Sequence, residues 1–136
     1  MQSSLLSLSG SAELGAIQAL RLAFPTLPDE YFSYLSLHNG GEGPLGVEPG
    51  WFILWPAEEA LVATAEYQMS KYLPGYMAFG GNGGGELFVF PIQPATGAMP
   101  VYMVPAIGME PAVLIEVAST FGEFVSAFRE HLAPHA

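Results

Sequence analysis

The sequence contains no cysteine, and this absence excludes several kinds of chemistry at once. Without a thiol the chain can form no disulfide, no thiolate nucleophile and no cysteine-ligated zinc site. The three histidines, His38, His131 and His135, are too scattered along the sequence to indicate a buried metal site. We therefore expect neither a metal ion nor another cofactor.

Basic residues are also scarce. Three of them, Arg21, Lys71 and Arg129, face 13 acidic residues, and the net charge is -10. Binding of nucleic acid requires Lys and Arg to neutralise phosphates, so the composition argues against a direct DNA or RNA partner. An anionic membrane surface would repel the chain as well. A basic protein would be attracted, mainly through faster encounter, although solubility is the commoner explanation of such a charge.

Long hydrophobic runs are missing too. No uninterrupted apolar stretch approaches the ~18 residues of a membrane-spanning helix, and the first ten residues lack the basic residue of a secretory signal. These absences predict a soluble, cytoplasmic protein. Apolar residues nevertheless make up 51% of the chain and charged residues 12%. This surplus predicts apolar surface for a homodimer or for another partner.

Glycine, in contrast, is abundant at one place. Residues 79–91 read FGGNGGGELFVFP, with five glycines around Asn82. A phosphate-binding loop would need a Lys followed by Ser or Thr, or a helix after the glycines. Here Glu86 and an apolar strand follow, so we predict a β-hairpin of residues 76–80 and 86–91. Asn82 and Glu86 are the functional candidates of this loop.

Periodicity and capping signals predict the other elements. Helices are expected over residues 12–24, 27–38, 56–73 and 119–132, and strands over 51–55, 100–105 and 112–117. Residues 1–10 are expected to be a weakly ordered lead, and residues 42–50 and 93–99 to be loops. The unbroken apolar run at 51–55 predicts a strand covered on both faces. Glu58 and Glu59 begin a helix, where they complement its dipole and point apart, so they do not indicate a catalytic pair.

Four motifs follow one another along the chain. They are LPDEYFSYL at 27–35 running into HNGG at 38–41, FGGNGGGE at 79–86, PVY at 100–102, and TFGEF at 120–124 with its capping box. In this order they resemble the SMI1/KNR4 family, also called the SUKH superfamily, over roughly residues 12–132. The resemblance implies a single domain over 1–136. Its fold would be α+β, a mainly antiparallel twisted sheet of about four to six strands flanked by N-terminal helices, one internal helix and a C-terminal helix.

The resemblance also implies a binding module without catalytic residues. Bacterial members are typically immunity proteins that neutralise a cognate toxin, often a nuclease, and fungal members are regulators. A basic nuclease groove would complement the acidic chain. The candidate partner contacts are exposed carboxylates near the loops, one amide and one aromatic anchor: Glu42, Glu48, Glu58, Glu59, Glu86, Asn82 and Trp51.

Two alternatives stay open. A regulatory or scaffold domain that binds an endogenous protein would share the fold and the apolar surplus, and the gene neighbourhood would distinguish it. An enzyme would need a nucleophile with its base, or two carboxylic acids with displaced pKa values. The residues best placed for such a hydrolase are Glu86 and Asn82.

Overall fold

The computed structural model describes residues 6–92 and 99–128. Within those residues the strands are β1 (Ser7–Leu8), β2 (Gly41–Pro44), β3 (Trp51–Leu54), β4 (Tyr76–Gly81), β5 (Glu86–Pro91), β6 (Val101–Pro105) and β7 (Ile115–Ala118). The helices are α1 (Leu14–Ala23), α2 (Asp29–Leu37), α3 (Ala57–Glu66), α4 (Met69–Tyr72) and α5 (Phe121–Ser126), with a short 3-10 turn at Pro111–Val113.

The strands form one antiparallel sheet in the order β1 to β7, so each strand pairs with its neighbours in sequence. Along the sequence, α1 and α2 separate β1 from β2, and α3 and α4 separate β3 from β4. The predicted α+β class is confirmed, with seven strands in the described residues where about four to six were expected.

The additional strands lie where we expected a weakly ordered lead and a loop. Ser7 pairs with Glu42 and Leu8 with Gly41, so the predictions for residues 1–10 and 42–50 are wrong at β1 and β2. Neither strand shows the apolar alternation that would predict it from the sequence. Backbone pairing and close packing hold the two strands together. A Cβ added at Gly43 would lie 2.8 Å from the Leu6 Cα, which only glycine avoids.

Two predicted helices are shorter in the structure. The helix expected over 56–73 ends at Glu66, because Gln68 adopts a left-handed conformation with φ of 54° before α4 begins. The helix expected over 119–132 is helical at Phe121–Ser126, and residues 129–132 lie outside the described residues, as do 93–98. Its capping box is confirmed on one side, since the Thr120 hydroxyl accepts the Glu123 N–H at 3.0 Å. The Glu123 carboxylate accepts the N–H of Ser119, one residue earlier than expected.

The main core lies between one face of the sheet and helices α1, α2 and α5, and α3 adds Ala57 and Ala60 to it. Its centre is aromatic: Phe79 stacks on Phe90 with ring centroids 4.1 Å apart, and Phe52 stacks on Phe128 at 3.7 Å. Phe124 of α5 is fully buried against these strands. We call this side of the sheet the inner face. The aromatic stripe of the C-terminal helix is therefore core, as its spacing predicts.

Two tyrosines of α2 differ in how their hydroxyls are satisfied. Tyr31 is 1% exposed inside the aromatic cluster, and its hydroxyl has no hydrogen-bond partner in the described part of the chain. Burial raises the pKa of Tyr31 far above its usual range. The Tyr34 hydroxyl donates to the carbonyl of Gly40 at 3.0 Å, and burial raises the pKa of Tyr34 to about 12.

The opposite side, which we call the outer face, is covered at one end. There α4 and residues 106–114 bury apolar side chains of the central strands, including Val89 and Val104. At β3 the cover is incomplete: Phe52 and Leu54 are buried on the inner face, whereas Trp51 and Ile53 are half-buried on the outer face. The prediction that both faces of this strand are covered is therefore wrong. Its run is continuously apolar because its outer face is an apolar surface.

Candidate functional site

Strand register brings the first predicted contact onto the outer face. Glu42 of β2 stands opposite Ile53 of β3, and Ile53 stands opposite Gly81 of β4. Directly opposed residues of antiparallel strands project to the same side of the sheet. Glu42 therefore flanks the half-buried Ile53. Trp51 lies two residues before Ile53 on the same strand, so it projects to the same side of the sheet.

The glycine-rich hairpin lies against β3. A Cβ added at Gly80 would come within 2.3 Å of the Ile53 carbonyl oxygen, and one at Gly83 within 3.2 Å of the Ile53 side chain. Gly83 also has a φ of 76°, which favours glycine. The predicted hairpin is confirmed. Its glycines allow the loop to approach a neighbouring strand.

Asn82 organises this loop from inside. Its Oδ1 accepts the N–H groups of Gly84 at 2.8 Å and of Glu86 at 3.1 Å. Its Nδ2 donates to Glu86 Oε1 at 2.7 Å. The amide is thus used within the loop, and it holds the Glu86 carboxylate at the rim of the outer face.

A cleft of about 250 Å³ opens beside this loop. Its lining includes Ile53, Trp55, Tyr67, Glu86, Leu87 and Ala106. An adjoining notch of about 140 Å³ is lined by Trp55, Glu59, Ala63, Glu66 and Tyr67. Trp55 and Tyr67 line both hollows. Their rings are parallel to within 5°, with centroids 6.0 Å apart, so the two hollows share an aromatic wall.

Helix α3 supplies the notch because of where it lies on the sheet. Strands β3 and β4 pair at two positions, Ile53 with Gly81 and Leu54 with Gly80. Beyond them the N–H of Ala78 donates to the Thr64 hydroxyl of α3 at 3.3 Å. Helix α3 thus lies against the edge of β4 beyond its pairing with β3. The face of α3 that carries Glu59 and Glu66 borders the open end of the sheet.

Residues 12–127 match the sequence model of the SMI1 / KNR4 family (SUKH-1). The chain belongs to this family. The family resemblance of the four sequence motifs is thereby confirmed. A comparison with curated protein sequences returned no match. Among the described residues of this SMI1/KNR4 domain, no helix has the length and apolarity to cross a membrane, and no three His, Cys, Asp or Glu side chains gather as a metal site would require.

The SMI1/KNR4 fold brings most of the predicted contacts to one side. Glu59 and Glu86 line the notch and the cleft. Glu42 shares a further hollow of about 200 Å³ with Ile53, and Asn82 fixes Glu86. Trp51 is half-buried on β3, where its ring approaches Gly83.

Two predicted contacts have other positions. The Glu58 carboxylate accepts a hydrogen bond from the Asn39 amide at 3.1 Å, while the Asn39 oxygen accepts the Ala57 N–H at 2.7 Å. Glu58 therefore belongs to the polar cap of α3. Glu48 lies exposed in the turn between β2 and β3, and it lines neither the cleft nor the notch.

The residues of the site that were not among the predicted contacts include Ile53, Trp55, Glu66 and Tyr67. One signal was available for Glu66, because it follows Glu59 by seven residues and so shares its helical face. Ala63 lies between them on that face, where its small side chain leaves room for the notch. The contact of Trp55 with Tyr67 joins a strand end to a helix end, and sequence spacing gives no sign of it.

The outer face is acidic, and none of its carboxylates forms a salt bridge within the described residues. The one ion pair of the described residues joins Arg21 to Asp29 at 3.5 Å, on α1 and α2 at the inner face. Lys71 lies over the ring of Tyr72, 5.0 Å from its centroid. The carboxylates around the cleft and notch, namely Glu42, Glu59, Glu66 and Glu86, thus border an apolar surface and form no salt bridge within the described residues. Such a surface is chemically suited to a positively charged partner.

Proposed function

We propose that this SMI1/KNR4 domain is a non-catalytic protein-binding module that neutralises a cognate, basic toxin by stoichiometric occlusion. The observation that carries the proposal is the outer face, where carboxylates without a salt bridge in the described residues surround half-exposed aromatic and aliphatic side chains. Interfaces combine an apolar centre with a polar rim, and their aromatic residues contribute disproportionately to affinity. The binding role that the family resemblance implies supports the same conclusion.

The charge of the domain supports a basic partner. A nuclease toxin exposes a positive groove for its substrate, and a protein of net charge -10 complements that groove. Occlusion of the groove would block the substrate without any chemical step. The use of Asn82 to shape its own loop supports a structural role for the Asn82–Glu86 pair, in preference to hydrolytic chemistry.

The test is co-expression with the toxic domain of a multidomain toxin encoded next to this gene. We expect the domain to restore growth of cells that express this toxin, and the purified pair to form a 1:1 complex. Association should slow with added salt, because the attraction between surface charges is screened.

Matched charge reversals locate the interface. Glu42→Lys with Glu59→Lys should weaken the complex. Glu13→Lys with Glu30→Lys changes the net charge equally at exposed positions at the starts of α1 and α2, and should have little effect. Absence of both binding and rescue would refute the toxin-neutralising role. A regulatory or scaffold role would then be the better account if no such toxin gene lies nearby and an endogenous protein binds the same face. For the predicted homodimer, exposed Ile107 and Ile115 offer apolar surface elsewhere.

A further inference from the structure

The notch next to the aromatic wall has the dimensions and lining of a side-chain pocket. It measures about 140 Å³, and its lining combines ring surface from Trp55 and Tyr67 with two carboxylates, Glu59 and Glu66. Tyr67 is 39% exposed, so the aromatic surface is accessible to a partner. Ala63 lies between the two glutamates on the helix and is itself buried.

These groups differ from an ordinary charged helix face. Glu59 and Glu66 form no salt bridge with a cation of the described residues. A larger hollow of about 350 Å³ near Tyr72 and Ile107 carries a single carboxylate, Glu110. The notch is thus better suited to a cation, because it joins aromatic surface to two negative charges.

We propose that this notch receives an arginine side chain from the partner protein. A guanidinium group stacks on aromatic rings and donates paired hydrogen bonds to a carboxylate, which suits both kinds of lining. A lysine ammonium is a strongly hydrated point charge and would use the rings less well. The aliphatic part of the arginine would lie across the aromatic wall toward the cleft. This inference rests on the proposed function, and it specifies the anchor of the partner.

The test uses hexa-arginine and hexalysine peptides, so it requires no identified partner. The protein has two tryptophans, whose indole N–H signals can be followed by NMR in 15N-labelled protein. A Trp51→Phe variant assigns the two signals. We expect hexa-arginine to shift the signal of Trp55 at low salt, and to bind several-fold more tightly than hexalysine.

Two charge-matched variants separate the notch from general attraction. Glu59→Gln with Glu66→Gln should raise the dissociation constant for hexa-arginine on the order of tenfold. Glu13→Gln with Glu30→Gln removes the same charge at the starts of α1 and α2, and should change the dissociation constant less than about twofold, as expected for screened surface charges. Thermal unfolding of both variants establishes that they are folded.

Equal weakening by the two double variants, equal affinity for the two peptides, or an unchanged Trp55 signal would each overturn the proposal. These outcomes are distinct from failure of the proposed function. If a toxin is neutralised but Glu59→Gln with Glu66→Gln binds it unchanged, the arginine pocket alone is wrong. If the peptide binds in the notch but no toxin is neutralised, the toxin role alone is wrong.

Discussion

Replacing Tyr31 by phenylalanine should make this protein more stable. The Tyr31 hydroxyl is buried without a hydrogen-bond partner in the described chain. The Tyr31 ring is surrounded by the rings of Phe79, Phe90 and Phe121, with centroid–centroid distances of 5.6, 5.3 and 5.4 Å. Leaving a buried polar group unsatisfied costs about 1–3 kcal/mol. Phenylalanine keeps the ring contacts and removes that penalty, at the cost of a void the size of one oxygen atom. We expect a net gain of about 1 kcal/mol.

Tyr34 provides the matched control, because the same substitution should act in the opposite direction. Its hydroxyl donates to the Gly40 carbonyl, so Tyr34→Phe removes a hydrogen bond and leaves a buried carbonyl without that donor. We expect a loss of about 1–2 kcal/mol. The two variants should thus differ by roughly 2–3 kcal/mol, which in a domain of this size is a difference in Tm on the order of 10 °C.

The assay is urea unfolding of the wild type and of both variants, followed by circular dichroism. Unfolding slopes that agree within error would show that the variants unfold the same extent of surface. The reasoning is refuted if Tyr31→Phe loses as much stability as Tyr34→Phe. That result would mean that the Tyr31 hydroxyl is satisfied in solution, for example by a buried water molecule.

Three further outcomes can be measured by the same unfolding assay. Gly80→Ala should destabilise the protein by more than about 2 kcal/mol, since its Cβ would collide with the Ile53 carbonyl. Gly15→Ala, in open space on α1, should stabilise it by up to about 1 kcal/mol. Equal effects of the two substitutions would contradict the close approach of the hairpin to β3. Gln68→Gly should stabilise by about 0.5–1 kcal/mol, because glycine adopts the left-handed conformation without strain; a loss of stability would contradict this. Stability should fall as the pH rises from about 10 to about 12, because the unfolded chain releases the Tyr34 proton at its ordinary pKa of 10.0 while the folded protein retains it up to a pKa of about 12. Tyr34→Phe should reduce that decline in stability, by at most about 1.4 kcal/mol per pH unit. An unchanged slope of stability against pH would refute the assignment.

The parts of the fold that could be predicted from the sequence are those specified by short-range chemistry. The glycines around Asn82 predict the hairpin because few other residues allow such a turn. Thr120 and Glu123 predict the start of α5 because their spacing satisfies exposed N–H groups. Each of these signals lies within a few residues of the structure it specifies.

The elements missed by the sequence depend on contacts between distant segments. Strand β1 exists because β2 pairs with it, although the two are separated by α1 and α2. Helix α3 ends at Glu66, just before Gln68 adopts a left-handed conformation. Gln68 lacks the turn preference of glycine or asparagine, so tertiary packing overrides local propensity there.

The candidate site was predicted in part for the same reason. The acidic residues near the loops could be identified from composition and position, and Glu42, Glu59 and Glu86 do border the outer face. The aromatic wall required the end of β3 to meet the end of α3, and this contact follows from how α3 crosses the sheet.

The position of α5 has a consequence for synthesis of the protein. Its Phe121 and Phe124 cover Phe79 and Phe88 of the central hairpin, yet α5 follows every strand that the structure describes. A ribosome therefore makes all of these strands before it makes α5 with Phe121 and Phe124. Until residues 121–128 emerge, the nascent chain exposes the part of its core that α5 will cover, and exposed apolar surfaces are prone to aggregate. Release of the C-terminal helix, more than completion of the sheet, sets the moment at which this chain can complete its folding.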